Sequence, residues 1–177
     1  MKLRVDHIKE QAKTFSLEEP IAGFPALSAA EQAEECRFLT PVKSEITVIR
    51  EFDHIRVDGR AETSVMLKCS RCLGEYEQSL SSHFTLFYTK GVVGQEEEVE
   101  LGEHDLVSVP YQGDELDFAP EIEEQVLMEL PLKPLCKDDC QGLCTVCGTN
   151  LNLGMCGCDR TPSNFKLSAL KNFKADK

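Results

Sequence analysis

The stretch Ile55-Arg-Val-Asp-Gly-Arg-Ala-Glu-Thr-Ser-Val-Met-Leu-Lys68 alternates strictly and runs straight into Cys69-Ser-Arg-Cys72. Ile55, Val57, Gly59, Ala61, Thr63, Val65 and Leu67 share one parity; Arg56, Asp58, Arg60, Glu62, Ser64, Met66 and Lys68 share the other. Successive side chains of a strand point to opposite faces, so the first set belongs to a core and most of the second to water. This is the pattern of a half-buried antiparallel strand, with a bend or bulge expected at Gly59. Just before it, residues 45–52 are rich in β-branched side chains (Ile46, Thr47, Val48, Ile49), which suit a pleated surface. Asp53-His54 reads as the turn between the two. Beyond the CxxC, Leu80, Phe84, Leu86, Phe87 and Tyr88 make 76–90 a further strand. Residues 36–90 therefore read as a β-meander with a CxxC in one of its turns, where Gly74 is expected to supply a positive φ.

The flanking sequence adds helices and loops. Leu3, Val5 and Ile8 suggest a first strand in residues 1–10. Pro20, Gly23 and Pro25 mark a loop over 16–35, with a short helical turn capped by Ser28. Residues 91–116 are rich in Gly and Glu and read as an exposed loop, with a short strand at 106–109. A helix is expected over 117–130. Pro120 suits its first turn, Glu121, Glu123 and Glu124 complement its N-terminal dipole, and Ile122, Val126, Leu127 and Leu130 form its apolar stripe. Pro131 and Pro134 end it. Phe165, Leu167, Leu170 and Phe173 suggest a second helix over 163–173. The expected fold class is α+β: an antiparallel β-meander with one or two helices and a C-terminal cysteine-rich zinc-knuckle segment. Two regions are expected, a mainly antiparallel sheet domain with its acidic loop and helix over 1–135, and a cysteine-rich metal-binding segment with a basic tail over 136–177.

Eight of the nine cysteines fall at metal-ligand spacings: Cys69, Cys72, Cys136, Cys140, Cys144, Cys147, Cys156 and Cys158. A thiolate pair two residues apart clasps one zinc ion through a tight turn, and two pairs complete a tetrahedral S₄ shell. One arrangement has two structural zinc ions, one held by Cys69, Cys72, Cys136 and Cys140 and the other by Cys144, Cys147, Cys156 and Cys158. The alternative has one zinc on Cys69, Cys72 and two of the later cysteines. Both readings need a staple in 136–159, which is dense in Cys and Gly and poor in apolar side chains. Ferredoxin spacings are absent, which disfavours an iron–sulfur cluster. A redox CxxC wants a strand-to-helix turn that lowers its first thiol, and the sequence after Cys72 reads instead as a strand. Cys36, beside Phe38 and Leu39, reads as a small buried apolar residue.

Charge is unevenly spread. The net charge is −12, yet residues 91–132 hold thirteen acids and no Lys or Arg, which leaves 18 acids against 19 bases elsewhere. From Arg160 onward there are five bases and one acid. A broad footprint on nucleic acid needs clustered positive charge, so any such contact must be local. Lys68 and Arg71 flank the first cysteine pair, and Lys133 and Lys137 flank Cys136. If these cysteines share a metal, the four bases converge on a candidate contact for RNA or a protein partner. His7, His54, His83 and His104 are scattered, and no phosphate-binding loop, dinucleotide fingerprint or nucleophile motif occurs. No enzyme, small-molecule substrate or membrane span is expected. The start lacks the apolar run of an export signal, and paired cysteines suit a reducing compartment as metal ligands, so the expected location is cytoplasmic.

Leu67-Lys-Cys-Ser-Arg-Cys-Leu73, Leu130-Pro-Leu-Lys-Pro-Leu-Cys136, Cys140-Gln-Gly-Leu-Cys-Thr-Val-Cys-Gly148 and Cys156-Gly-Cys158 together resemble the cysteine-rich branch of the YceD-like family of large ribosomal RNA subunit accumulation proteins. The resemblance is specific over 64–75 and 117–160 and weak over the first 40 residues. It implies a role in the accumulation or processing of large-subunit rRNA, with that rRNA or ribosomal proteins as partners. Some members keep the CxRC pair without the final cysteine set, which implies that Cys69 and Cys72 pair with Cys136 and Cys140. A protein–protein adaptor without RNA contact, or a thiol redox sensor, are the alternative functions.

Overall fold

The computed structural model describes residues 2–90 and 108–159. Its centre is the long strand read from the alternation, β5 (His54–Lys68), in which Ile55, Val57, Gly59, Ala61, Thr63, Val65 and Leu67 are all buried. β4 (Val42–Glu51) and β6 (Glu75–Lys90) pair antiparallel with it on either side. The β4–β5 turn is Phe52-Asp53, one residue earlier than expected, because Glu51 and His54 already pair across the ladder. β2 (Lys13–Glu19) extends the sheet beyond β4, and β7 (Ser108–Tyr111) lies parallel to β6 at the other edge. The meander is therefore antiparallel but the whole sheet is mixed. A two-residue strand, β3 (Arg37–Phe38), pairs with β5 beyond the end of β4. β1 (Lys2–Arg4) and β8 (Glu115–Asp117) form a separate small ribbon.

Two helices pack on the core face, α1 (Pro25–Gln32) and α2 (Ala119–Met128). Leu27, Ile122 and Val126 from the helices join Phe24, Leu116 and Phe118 beneath Ile46, Val48, Val57, Val65 and Leu80 of the sheet. Full burial of each such side chain is worth about 1.5–3 kcal/mol, and together they hold the helices in place. Phe118 meets Tyr88 edge to face at 5.6 Å. Cys36 is buried in the same core, and burial pushes its thiol up. No helix among the described residues is long and apolar enough to cross a membrane.

Several local expectations are corrected. The loop expected over 16–35 starts later, because Ser16–Glu19 belong to the strand Lys13–Glu19. α1 starts at Pro25, so Ser28 is inside the helix, where its hydroxyl donates to the Ile21 carbonyl. The free N–H groups of Ala26 and Leu27 donate instead to the Glu123 carboxylate of α2. Gly59 makes no bulge, since its register with Ile46 and Phe84 is unbroken. Its lack of a side chain makes room for the Phe84 ring, whose nearest carbon would lie 2.2 Å from an added Cβ. In the CxxC turn the positive φ (58°) belongs to Leu73, not Gly74. The acidic loop up to residue 107, the helix expected over 163–173 and the basic tail lie outside the described residues.

Candidate metal centres

β5 delivers Cys69 to the end of the sheet, and the turn into β6 carries Cys72. This turn is closed on itself: the Leu73 N–H donates to the Cys69 carbonyl at 2.9 Å and the Cys69 N–H to the Gly74 carbonyl at 2.9 Å. The chain after α2 returns to the same place. The Ser70 N–H donates to the Pro134 carbonyl at 2.8 Å, and Arg71 Nη1 donates to the carbonyls of Asp138 (3.0 Å) and Cys140 (3.1 Å). Cys69, Cys72, Cys136 and Cys140 thereby bring their sulfurs within 4.8 Å of one another. Cys69 and Cys140 are 3.8 Å apart, and Cys72 and Cys136 are 3.7 Å apart. Cys69 is fully buried, Leu135 and Tyr76 pack against the group, and Cys136 is half-exposed.

A second group forms on top of the first. The Leu143 N–H donates to the Arg71 carbonyl at 3.1 Å, which sets the segment from Gly142 onward against the CxxC turn. Gly142, at φ +70°, comes so close that an added Cβ would sit 3.1 Å from the Arg71 carbonyl oxygen. Leu143 and Asn150 then pair as an isolated bridge, and the Cys144 N–H donates to the Thr149 carbonyl at 2.8 Å. This small hairpin brings Cys144 and Cys147 to Cys156 and Cys158, with all the sulfurs again within 4.8 Å. Cys144 is buried and Cys147 is exposed.

The donor set fits a soft, four-coordinate cation. A tetrahedral shell with Zn–S bonds of about 2.3 Å has sulfur–sulfur edges of about 3.8 Å, which is the spacing seen in the first tetrad. The surroundings already favour thiolate at particular sulfurs. The N–H groups of Cys136 and Cys72 bring the Cys69 thiol down to about 6. Burial and the adjacent thiols push Cys136 up to about 12. Burial opposes ionisation of Cys140, but donation from the Asn152 amide and the Gly142 N–H outweighs it and lowers that thiol. In the second tetrad the N–H groups of Cys147 and Val146 lower Cys144. The Thr149 hydroxyl and N–H bring Cys147 to about 6, while Cys147 itself and burial push Cys158 up to about 12. Each tetrad thus mixes thiols biased toward thiolate with thiols that hold their protons, and a bound dication would displace those remaining protons.

Asn152 belongs to the candidate site and is absent from the residues read from the sequence. Its amide Nδ2 donates to Cys140 Sγ at 3.3 Å, and its Oδ1 accepts the Gln141 N–H at 2.9 Å. It thus links the second hairpin to a sulfur of the first tetrad, as supporting hydrogen bonds do for metal ligands generally. The signal lay in Asn150-Leu-Asn152, since Asn side chains in turns bond nearby backbone; here the Asn152 N–H donates to Asn150 Oδ1 at 3.0 Å.

The four bases named from the sequence have different employment. Arg71 is committed to the loop carbonyls that shape the first tetrad. Lys137 pairs with Asp139 at 3.6 Å on the surface. Lys68 and Lys133 are exposed on the chain segments that the Ser70–Pro134 hydrogen bond joins.

The family model described as "Large ribosomal RNA subunit accumulation protein YceD" matches residues 57–174, which include both tetrads. The chain is 27% identical over 157 residues to the chloroplastic large ribosomal RNA subunit accumulation protein YCED homolog 1 of Arabidopsis thaliana, covering 76% of this chain and 49% of that protein. Its namesake in Zea mays is 30% identical over 158 residues, covering 75% of this chain and 53% of that protein. An uncharacterized protein of Mycobacterium leprae (strain TN) is 30% identical over 115 residues, covering 63% of this chain and 49% of that protein. The chain thus spans about half the length of the curated relatives it matches. No solved structure matches it.

Proposed function

Because this chain belongs to the YceD family of large ribosomal RNA subunit accumulation proteins, we propose that it is a non-enzymatic, zinc-stabilised factor promoting the accumulation or processing of large-subunit rRNA. The observation that carries this reading is the family match across 57–174, which takes in most of strand β5, the CxxC turn and all eight paired cysteines. Zinc is our assignment for both tetrads, from the all-sulfur donor set and the tetrahedral spacing in the first. Four protein ligands leave no coordination position for water, so the ions are structural. The eight thiols need a reducing compartment to stay available as ligands, and we assign the cytoplasm.

In this reading the first zinc locks residues 134–143 against the end of the sheet, and the second stiffens the hairpin built on it. The joint between the two chain segments exposes Lys68, Lys133 and Leu132, and the second hairpin exposes Val146, Leu153 and Met155. Lysines contact phosphate and exposed apolar side chains contact protein, so the surface suits rRNA together with a ribosomal protein bound to it.

Depletion of the protein in its own host tests the function. Large-subunit rRNA is expected to fall relative to small-subunit rRNA and to recover on re-expression of the chain. An unchanged ratio would overturn the reading. For the contact itself, Lys68→Glu with Lys133→Glu is expected to weaken binding to large-subunit rRNA fragments while both metals remain. Arg71 is unsuitable for this test because its charge holds the tetrad together. Equal binding by the double variant would remove these lysines from the interface.

A further inference from the structure

The strand β2 is an open edge of the sheet. It pairs with β4 on one side, and among the described residues no strand lies on the other. The opposite edge is guarded differently: β7 is four residues long and contains Pro110, whereas the seven residues of β2 contain neither Pro nor Gly. Such an edge offers a row of backbone donors and acceptors to another strand.

The side chains of β2 say which strand fits. Lys13, Phe15, Leu17 and Glu19 stand opposite Val48, Ile46, Ser44 and Val42 of β4, so they share the core face. Phe15 and Leu17 are half-buried and rest against the main core, whose apolar layer is left unfinished here. The order Lys13-Thr-Phe-Ser-Leu-Glu-Glu19 is also self-complementary when reversed about Ser16.

We propose that β2 pairs antiparallel with β2 of a second copy about a two-fold axis at Ser16, joining two sheets into one. In that register Lys13 faces Glu19 of the second copy, Phe15 faces its Leu17, and each contact occurs twice by symmetry. Opposite-charge and aromatic–aliphatic pairs directly across strands are the favourable kind. A groove of about 670 Å³ beside the start of β2 receives the incoming side chains. Its Leu3, Ile8, Phe15 and Val48 lining takes Leu17 of the second copy, and Lys9 and Lys13 take its Glu19.

A charge-swap series on the full chain tests this by sedimentation over graded concentration, with circular dichroism to check the fold. The wild type is expected to be a concentration-dependent dimer. Lys13→Glu and Glu19→Lys alone each place like charges together at both symmetric contacts and are expected to raise the dissociation constant about tenfold or more. The double variant K13E/E19K restores opposite charges and the dimer, and an equimolar mixture of the two single variants forms the mixed dimer. A monomeric wild type would overturn the proposal. So would a dimer that the single variants leave unchanged, or one that the double variant fails to restore.

Discussion

Serine in place of Cys136 and serine in place of Cys156 each remove one sulfur from a tetrad, but their consequences differ. Cys72 and Cys136 are 64 residues apart, whereas Cys147 and Cys156 are nine apart. Loop closure costs (3/2)RT ln n, so the unfolded chain closes the longer loop at about 1.7 kcal/mol more, roughly twentyfold in its affinity for metal. A ligand stabilises a fold by its preference for the folded state, and binding to the unfolded chain erodes that effect. On the proposed zinc assignment, an ion in the first centre would therefore stabilise the sheet, while one in the second would stay with the chain after the sheet melts. At a free zinc concentration a thousandfold above its dissociation constant, the first centre contributes about 4 kcal/mol. Urea titration of the zinc-loaded protein, with circular dichroism for the sheet and a chromogenic chelator for released metal, reads both events. The wild type is expected to lose one zinc with the sheet and the other at higher urea. Cys136→Ser is expected to cost the sheet about 4 kcal/mol and Cys156→Ser less, by up to about 1.7 kcal/mol. Equal destabilisation by the two variants, or release of both ions in one step with the sheet, would mean that loop length does not separate the two centres.

Gly59→Ala sets a methyl against the Phe84 ring and is expected to destabilise by about 1–3 kcal/mol in equilibrium denaturation, as overpacking does; Phe84→Leu in the same chain is expected to recover part of the loss. Arg71→Lys removes the guanidinium's pair of bonds to Asp138 and Cys140 and is expected to cost about 1–3 kcal/mol, with a lowered zinc affinity in chelator competition. Glu123→Ala leaves the first N–H groups of α1 without their carboxylate, and hydrogen exchange of Ala26 and Leu27 is expected to quicken before that of β5. His54 bonds Asp53 through Nδ1 and Glu51 through Nε2, and the Asp53 bond first, then Glu51, raises its pKa from 6.5. Its contribution to stability is fully present below about 6.5 and is lost as pH rises through its higher folded value. An NMR titration is expected to place its midpoint above 6.5, and His54→Asn to remove this part of the pH dependence.

What could be read from the sequence depended on how many constraints each residue carried. In β5 every second side chain meets the core, so fourteen alternating residues point to one answer, and Ile55 to Leu67 are buried as expected. β2 is hard to read from the sequence because only Phe15 and Leu17 alternate on it, both merely half-buried at a sheet edge, with Pro20 and Gly23 close behind. Ser28 looked like a cap because a hydroxyl near a polar run is the local signal, whereas the actual partner of the first N–H groups is Glu123, remote in sequence. Gly59 marks room for an aromatic ring from the next strand rather than a kink, and composition does not distinguish the two. For the cysteines, spacing named the eight residues but left their grouping open. The grouping emerges because Ser70, Arg71 and Gly142 bind the returning chain to the CxxC turn. The same contacts explain why Arg71 reads as a surface base in sequence and acts as a structural clamp in the fold.

X-ray absorption at the zinc edge, with metal content per chain on protein purified without chelator, decides whether both tetrads are zinc centres. Two zinc ions per chain are expected, each with four sulfurs at about 2.3 Å and no oxygen or nitrogen neighbour, and one ion fewer when Cys136 or Cys156 is serine. A single zinc in the wild type, or a shell of mixed ligands, would contradict that assignment.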